Sequence, residues 1–221
     1  MDLPGFGQSP LPADWTNSLV QTVDAVETFL ETLPYEKVSI VGNSMGAGIA
    51  LAFAQRRPDR VDRIIPVNPY GLPVLPQIIS MAIPFQKMSA YFLSPPVLEK
   101  TARYIYSRSF YNPERVTPSL TRDAIRPFRP LQRRKDLVRF LTAILPEAMN
   151  DIDQKLPTLC HPTHIIWGDE DRWLSRNHLD RLVERIPNCS FTRIREAGHL
   201  PHQEKPEEVF RILREFVCQA P

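Results

Sequence analysis

Three side chains in this sequence have the types and the chain order that nucleophilic catalysis needs: Ser44, Asp171 and His199. A serine hydroxyl is a weak nucleophile at neutral pH, so it requires a base to take its proton and an acid to orient that base. Ser44 lies in Gly42-Asn-Ser-Met-Gly46, a G-x-S-x-G pattern. Between a strand and a helix, that pattern makes a strained turn whose small residues hold the hydroxyl clear of the backbone. Gly48 falls where the helix and strand must approach closely. Asp171 closes Trp167-Gly-Asp-Glu-Asp171 and His199 closes Ala197-Gly-His199. Asp169 and Glu170 compete for the acid role, and His202 competes with His199 for the base. His161, His164 and His178 lack the spacing of a metal site, so no metal and no cofactor is expected.

The elements that position these residues can be read from periodicity. Lys37-Val-Ser-Ile-Val41 is a β-branched run ending at Gly42, and Met45 to Gln55 is a run of small apolar residues closed by Pro58. Arg63 to Val67, His164 to Trp167 and Phe191 to Arg195 read as strands. Leu19 to Leu33, Asn177 to Arg185 and Pro206 to Cys218 read as helices. Such alternation predicts an α/β fold with a mostly parallel sheet and crossover helices on both faces. Ser44, Asp171 and His199 then sit past the carboxyl ends of strands, on the edge where open α/β sheets form active sites. Pro66 falls in a strand paired on both sides, which predicts a bulge or an early end to pairing.

Residues 72–160 behave differently from the flanking core segments 1–71 and 161–221. No glycine occurs from 72 to 167, and eleven of the 23 prolines fall in 72–159. The segment reads as an insertion of short, proline-punctuated helices forming a lid over one end of the sheet. It carries thirteen Lys and Arg against seven Asp and Glu, a net +6, which leaves −4 for the rest of the chain. Arg122, Arg126, Arg129 and Arg133 would form one helical stripe if a helix continued through Pro127 and Pro130. A basic lid could attract an anionic substrate or an acidic lipid surface, but a solvated face accounts for it more simply. The dense apolar run from Leu72 to Leu93 could line an acyl or aromatic pocket or pack the lid on the core.

Composition excludes several classes. With 43% hydrophobic and 24% charged residues the chain is globular rather than disordered, and a net charge of +2 gives no reason to expect nucleic acid. Cys160, Cys189 and Cys218 are odd in number and widely spaced, which fits a reducing compartment such as the cytoplasm. The long uncharged stretch from Ile64 to Gln86 contains five prolines, so no integral membrane span is expected.

These motifs together resemble the α/β-hydrolase fold, in its form with a proline-rich helical lid. Asp2-Leu-Pro-Gly-Phe-Gly-Gln-Ser9 resembles the family's D-x-P-G-x-G-x-S turn, and Gly42 to Gly46 its nucleophile elbow. Trp167-Gly168 with Asp171 resembles its acid turn, and Gly198-His199 with Pro201, Glu204 and Pro206 its histidine loop. The resemblance implies that Ser44, Asp171 and His199 form the triad, that the Met45 N–H is an oxyanion donor and that Asn43 contacts substrate. Some relatives carry the acid after the preceding strand, where this chain has Val67-Asn68-Pro69. The resemblance also implies that the first strands and the loop carrying the second oxyanion donor are missing. The strand ending at Gly42 would then expose an edge, open to pairing in a homodimer. The implied substrate is a small hydrophobic carboxylic ester or related acyl compound. Hydrolysis of a C–C bond in aromatic ring-fission products is the alternative, although those enzymes usually carry tryptophan after the catalytic histidine, where this chain has Leu200. A catalytically impaired fragment or pseudo-enzyme is the reading of a different class.

Overall fold

The computed structural model describes residues 1–15, 19–70 and 94–218, without the side chains of residues 19 and 141–151. Four strands rich in β-branched residues, β1 (Val38–Asn43), β2 (Val61–Val67), β3 (Thr163–Gly168) and β4 (Cys189–Ile194), form one parallel sheet in the order β1-β2-β3-β4. Helix α1 (Leu19–Glu31) precedes β1, and α2 (Met45–Arg56) links β1 to β2. The connection from β2 to β3 includes α3 (Pro95–Ser109), α4 (Pro118–Ile125) and α5 (Leu131–Lys155). Helix α6 (Arg176–Arg185) links β3 to β4, and α7 (Pro201–Glu204) and α8 (Pro206–Val217) follow β4.

Strand side chains alternate between faces, and two cores result. Ile64, Ile165 and Trp167 join Leu51 and Phe53 of α2, Phe140 of α5 and Leu179 and Leu182 of α6. Ile65, Val67, Ile166 and Ile194 face the other way, onto Val209, Ile212 and Phe216 of α8. Those three residues of α8 recur at helical spacing, which is the apolar stripe a helix needs to cover a sheet. The strand β1 lies at one end of the sheet and pairs with β2, and its Val41 is 50% exposed.

Pro66 neither ends pairing nor makes a bulge. Gly42 and Asn43 pair with Pro66 and Val67, and the β2–β3 register holds the same offset at Ile64–Thr163 and Val67–Ile166. Alternate residues of β2 donate toward β3: Ile64 N–H to Pro162 O at 3.1 Å and Asn68 N–H to Ile166 O at 2.9 Å. Proline at 66 therefore removes one rung between these two bonds and leaves the strand intact. The register shift falls instead between Val38 and Ile40.

The described part of the insertion is helical, and prolines open its elements: α3 begins at Pro95 and α4 at Pro118, where a missing N–H loses nothing. The expectation of uniformly short helices fails at α5, which runs for 25 residues and spans Pro146. The four-arginine stripe is also broken, because a 3₁₀ turn at Arg126–Phe128 separates α4 from α5. Arg122, Arg126 and Arg129 are exposed, whereas Arg133 turns inward and donates to Ser9 O at 2.7 Å, Gly7 O at 2.8 Å and Phe6 O at 3.3 Å. Arg139 adds a bond to Pro12 O at 2.7 Å. Part of the segment's positive charge thus clamps α5 to the N-terminal turn by guanidinium-to-carbonyl bonds. The apolar run Leu72 to Leu93 lies outside the described residues. Among the described residues no helix is long and apolar enough to cross a membrane.

Candidate active site

The elbow is built from backbone constraints. Ser44 has φ 51° and ψ −119°, a conformation that L-residues with a Cβ adopt at a cost. Its N–H donates to Val67 O at 3.0 Å, and its carbonyl accepts from Ala47, Gly48 and Tyr70 N–H at 3.0 to 3.2 Å. A Cβ on Gly42 would lie 2.7 Å from the Ala47 nitrogen and overlap the Gly46 carbonyl, so only glycine allows the helix to start this close to the strand. A Cβ on Gly46 would meet nothing within 4 Å. Met45 is the first residue of α2. At a helix start the N–H groups have no carbonyl a turn earlier, and the macrodipole is positive there, so an oxyanion beside Ser44 is favoured.

The acid and the histidine meet directly. The Asp171 side chain is 1% exposed, and its Oδ2 accepts the His199 Nδ1–H at 2.7 Å. Asn68 Nδ2–H donates to the same oxygen at 2.6 Å, while Oδ1 accepts Trp173 and Leu174 N–H at 2.7 and 3.0 Å. A buried carboxylate is tolerable only when its lone pairs are filled in this way. Of the competing acids, Asp169 pairs with Arg193 and Glu170 accepts the Ala197 N–H at 3.1 Å. Asn43 joins the two sides of the site, donating from Nδ2 to Val67 O and to His199 O, both at 3.1 Å. With both amide hydrogens so used, substrate contact by Asn43 would have to go through its Oδ1.

The end of α3 and the turn after it bracket the histidine loop. His199 N–H donates to Ser109 O at 2.7 Å, and a Cβ on Gly198 would collide with that carbonyl. Glu204, 3% exposed, accepts N–H bonds from Tyr111 at 2.9 and 3.0 Å, Asn112 at 3.3 Å and Gly198 at 2.7 Å. Trp173 Nε1–H donates to Ser109 Oγ at 2.8 Å, and the Arg108 guanidinium stacks 5.2 Å from the Trp173 ring centroid. The sequence marked Glu204 only as part of the histidine loop. Asn68 was noted only for lacking a carboxylate, and Ser109 and Trp173 carried no signal. Asparagine just past a strand end was the one available cue, because it tolerates positive φ and here adopts φ 41°.

The remaining histidines have structural partners. Nε2 of His161 bonds Pro58 O at 2.9 Å, His164 lies between Ser190 Oγ and Thr192 Oγ1 at 2.7 and 2.9 Å, and His178 Nε2 bonds Pro69 O at 2.8 Å. Burial lowers the pKa of His178, and burial followed by the nearby His199 charge lowers that of His202. The Nδ1 atoms of His178 and His202 are buried without a partner among the described residues. Burial pushes the Cys189 thiol up to about 12, far from a reactive thiolate.

A family sequence model described as the alpha/beta hydrolase fold matches residues 1–206. The chain is 27% identical over 225 residues to a 2-hydroxy-6-oxononadienedioate/2-hydroxy-6-oxononatrienedioate hydrolase of Paraburkholderia phymatum, covering 99% of this chain and 75% of that one. Its structure resembles a crystal structure of a meta-cleavage product hydrolase with TM-score 0.78 at 25% identity, over 99% of this chain and 79% of the other. It also resembles a thermophilic esterase from Thermogutta terrifontis with TM-score 0.77 at 25% identity, over 98% and 77%.

Proposed function

The chain belongs to the alpha/beta hydrolase fold family and is a hydrolase, and from that premise we propose that it works through a Ser44-His199-Asp171 triad. Ser44 Oγ attacks a carbonyl carbon while His199 Nε2 takes its proton. That proton goes to the leaving group, and water, activated by His199, then releases the acyl group. The observation that carries this reading is the Asp171–His199 hydrogen bond at 2.7 Å. Because Nδ1–H donates to the carboxylate, the neutral ring keeps its proton there and leaves Nε2 free to accept one. The Met45 N–H at the start of α2 supplies an oxyanion donor.

Two substrate classes fit this chemistry. The names of the relatives favour C–C bonds in aromatic ring-fission products, whose leaving carbon must be conjugated to a carbonyl that takes up the electron pair. Leu200 in place of the tryptophan after the histidine favours an ester, as does the likeness to a thermophilic esterase. Three free thiols fit a reducing compartment, the cytoplasm. Turnover of 2-hydroxy-6-oxo-6-phenylhexa-2,4-dienoate and of p-nitrophenyl butyrate by wild type and Ser44→Ala tests both readings. Either substrate should be consumed by wild type alone. A folded wild type that turns over neither, or a Ser44→Ala chain as active as wild type, contradicts the proposal.

A further inference from the structure

We infer that Asn68 is a positioning residue that fixes Asp171 for its bond to His199 and moderates the charge His199 sees. The inference rests on the triad reading above. Asn68 is fully buried just past the end of β2, in a positive-φ conformation (41°) that points its amide between two strand ends. Both ends of the amide are used: Nδ2–H donates to Asp171 Oδ2 at 2.6 Å, and Oδ1 accepts the Gly168 N–H at 3.1 Å. Its own N–H is held by Ile166 O at 2.9 Å. The side chain therefore ties the carboxylate to the last residue of β3, and the acid turn cannot rotate without breaking one of these bonds.

The oxygen that Asn68 holds is the one His199 uses. A donor there draws negative charge away from the His199 bond, so the imidazolium formed during catalysis is stabilised less than by a carboxylate facing histidine alone. The amide nitrogen and His199 Nδ1 lie no further apart than the two bonds placed end to end. A carboxyl group placed at position 68 would touch Asp171 Oδ2, and two carboxylates in contact hold one proton between them, so the donor is kept. The other charged or titratable groups around the pair are Asp169, Glu170 and Arg172 in the acid turn, His178 on α6, Arg108 at the end of α3, and His202 and Glu204 on α7.

Two substitutions suit the backbone here, since aspartate tolerates positive φ and glycine adopts it freely. The test is a ¹H–¹⁵N NMR titration of the His199 ring in the full chain, assigned with His199→Gln, with the rate of fluorophosphonate labelling measured alongside. In Asn68→Asp the two touching carboxyl groups share a proton, so residue 68 still donates to Asp171 Oδ2, and the Nδ1–H signal and the labelling rate are expected to stay near wild type. In Asn68→Gly the hydrogen-bonded Nδ1–H signal should be lost to exchange and labelling should slow about tenfold. A wild-type Nδ1–H signal in Asn68→Gly, or an equal loss of that signal in a folded Asn68→Asp, overturns the inference, because a merely structural role would not separate a variant that keeps the donor from one that lacks it. If Asn68→Asp does not fold, Asn68→Gly decides: a retained wild-type Nδ1–H signal overturns the inference and its loss supports it. A wild type that takes no label refutes the triad reading, while the NMR arm still judges Asn68.

Discussion

The two sides of the site are held by different physics. On the acid–histidine side, β3 and β4 pair residue for residue from Thr163–Cys189 to Gly168–Ile194, and the loops beyond them are filled with hydrogen bonds from Asn68, Glu204, Trp173 and Ser109. On the Ser44 side, β1 lies at the end of the sheet among the described residues, with a register shift and a half-exposed valine, and Ser44 is placed by a strained turn packed against the start of α2. Polar satisfaction fixes the first side, and close backbone contact fixes the second. The acid–histidine pair should therefore fail when a buried donor or acceptor loses its partner. The Ser44 turn should fail when an atom is added to the backbone contact.

Glu204→Ala should be the most damaging change, since it strands the Tyr111, Asn112 and Gly198 N–H groups beside His199. Each buried donor left unpaired costs ~1–3 kcal/mol, so a loss of about 3 kcal/mol or more in chemical denaturation is expected. A loss under ~1 kcal/mol would show that the bracket is not what holds this side. Gly42→Ala comes next. Overpacking at the elbow should cost ~1–3 kcal/mol and remove most serine labelling, whereas Gly46→Ala, with open space around its Cβ, should melt at or slightly above the wild-type temperature. Equal effects at the two glycines would break the backbone-contact explanation.

Smaller effects are expected at the Arg133 clamp and in the charge balance. Arg133→Met frees three carbonyls of the N-terminal turn and should cost ~1–2 kcal/mol. Labelling of Ser44 should slow less than in Glu204→Ala, because Arg133 bonds residues 6–9 rather than the histidine loop. His178 and His202 titrate below the usual histidine range when folded, so the native state excludes a proton that the unfolded chain binds. Their contribution to stability is full above about pH 6.5 and is lost as pH falls from there toward the folded values. Melting temperature should therefore drop on acidification, and less steeply in His178→Gln, which can still donate to Pro69 O. An unchanged slope in that variant would assign the acid sensitivity to other groups.

Much of this arrangement was legible in the sequence. Glycines and β-branched runs marked β1 to β4 within a few residues, because turns that need small residues sit beside buried strands. The order Ser44, Asp171, His199 followed from the same marks. What stayed hidden depends on long-range partners. Nothing local distinguishes Asn68, Ser109 or Glu204 from other polar residues near strand or helix ends until the end of α3 is folded onto the histidine loop. Likewise Arg133 looked like one member of a stripe, and only the break between α4 and α5 turns it toward Ser9. Pro66 was misread because a single missing donor matters little when the bonds on either side of it survive.

The central claim is that Ser44 is a nucleophile activated by His199. Its most direct measurement is fluorophosphonate labelling of the folded chain, followed by peptide mass mapping. The account predicts one adduct, on Ser44, absent in Ser44→Ala and slowed at least a hundredfold in His199→Gln. A folded wild type that takes no adduct, or carries it on another residue, would contradict it.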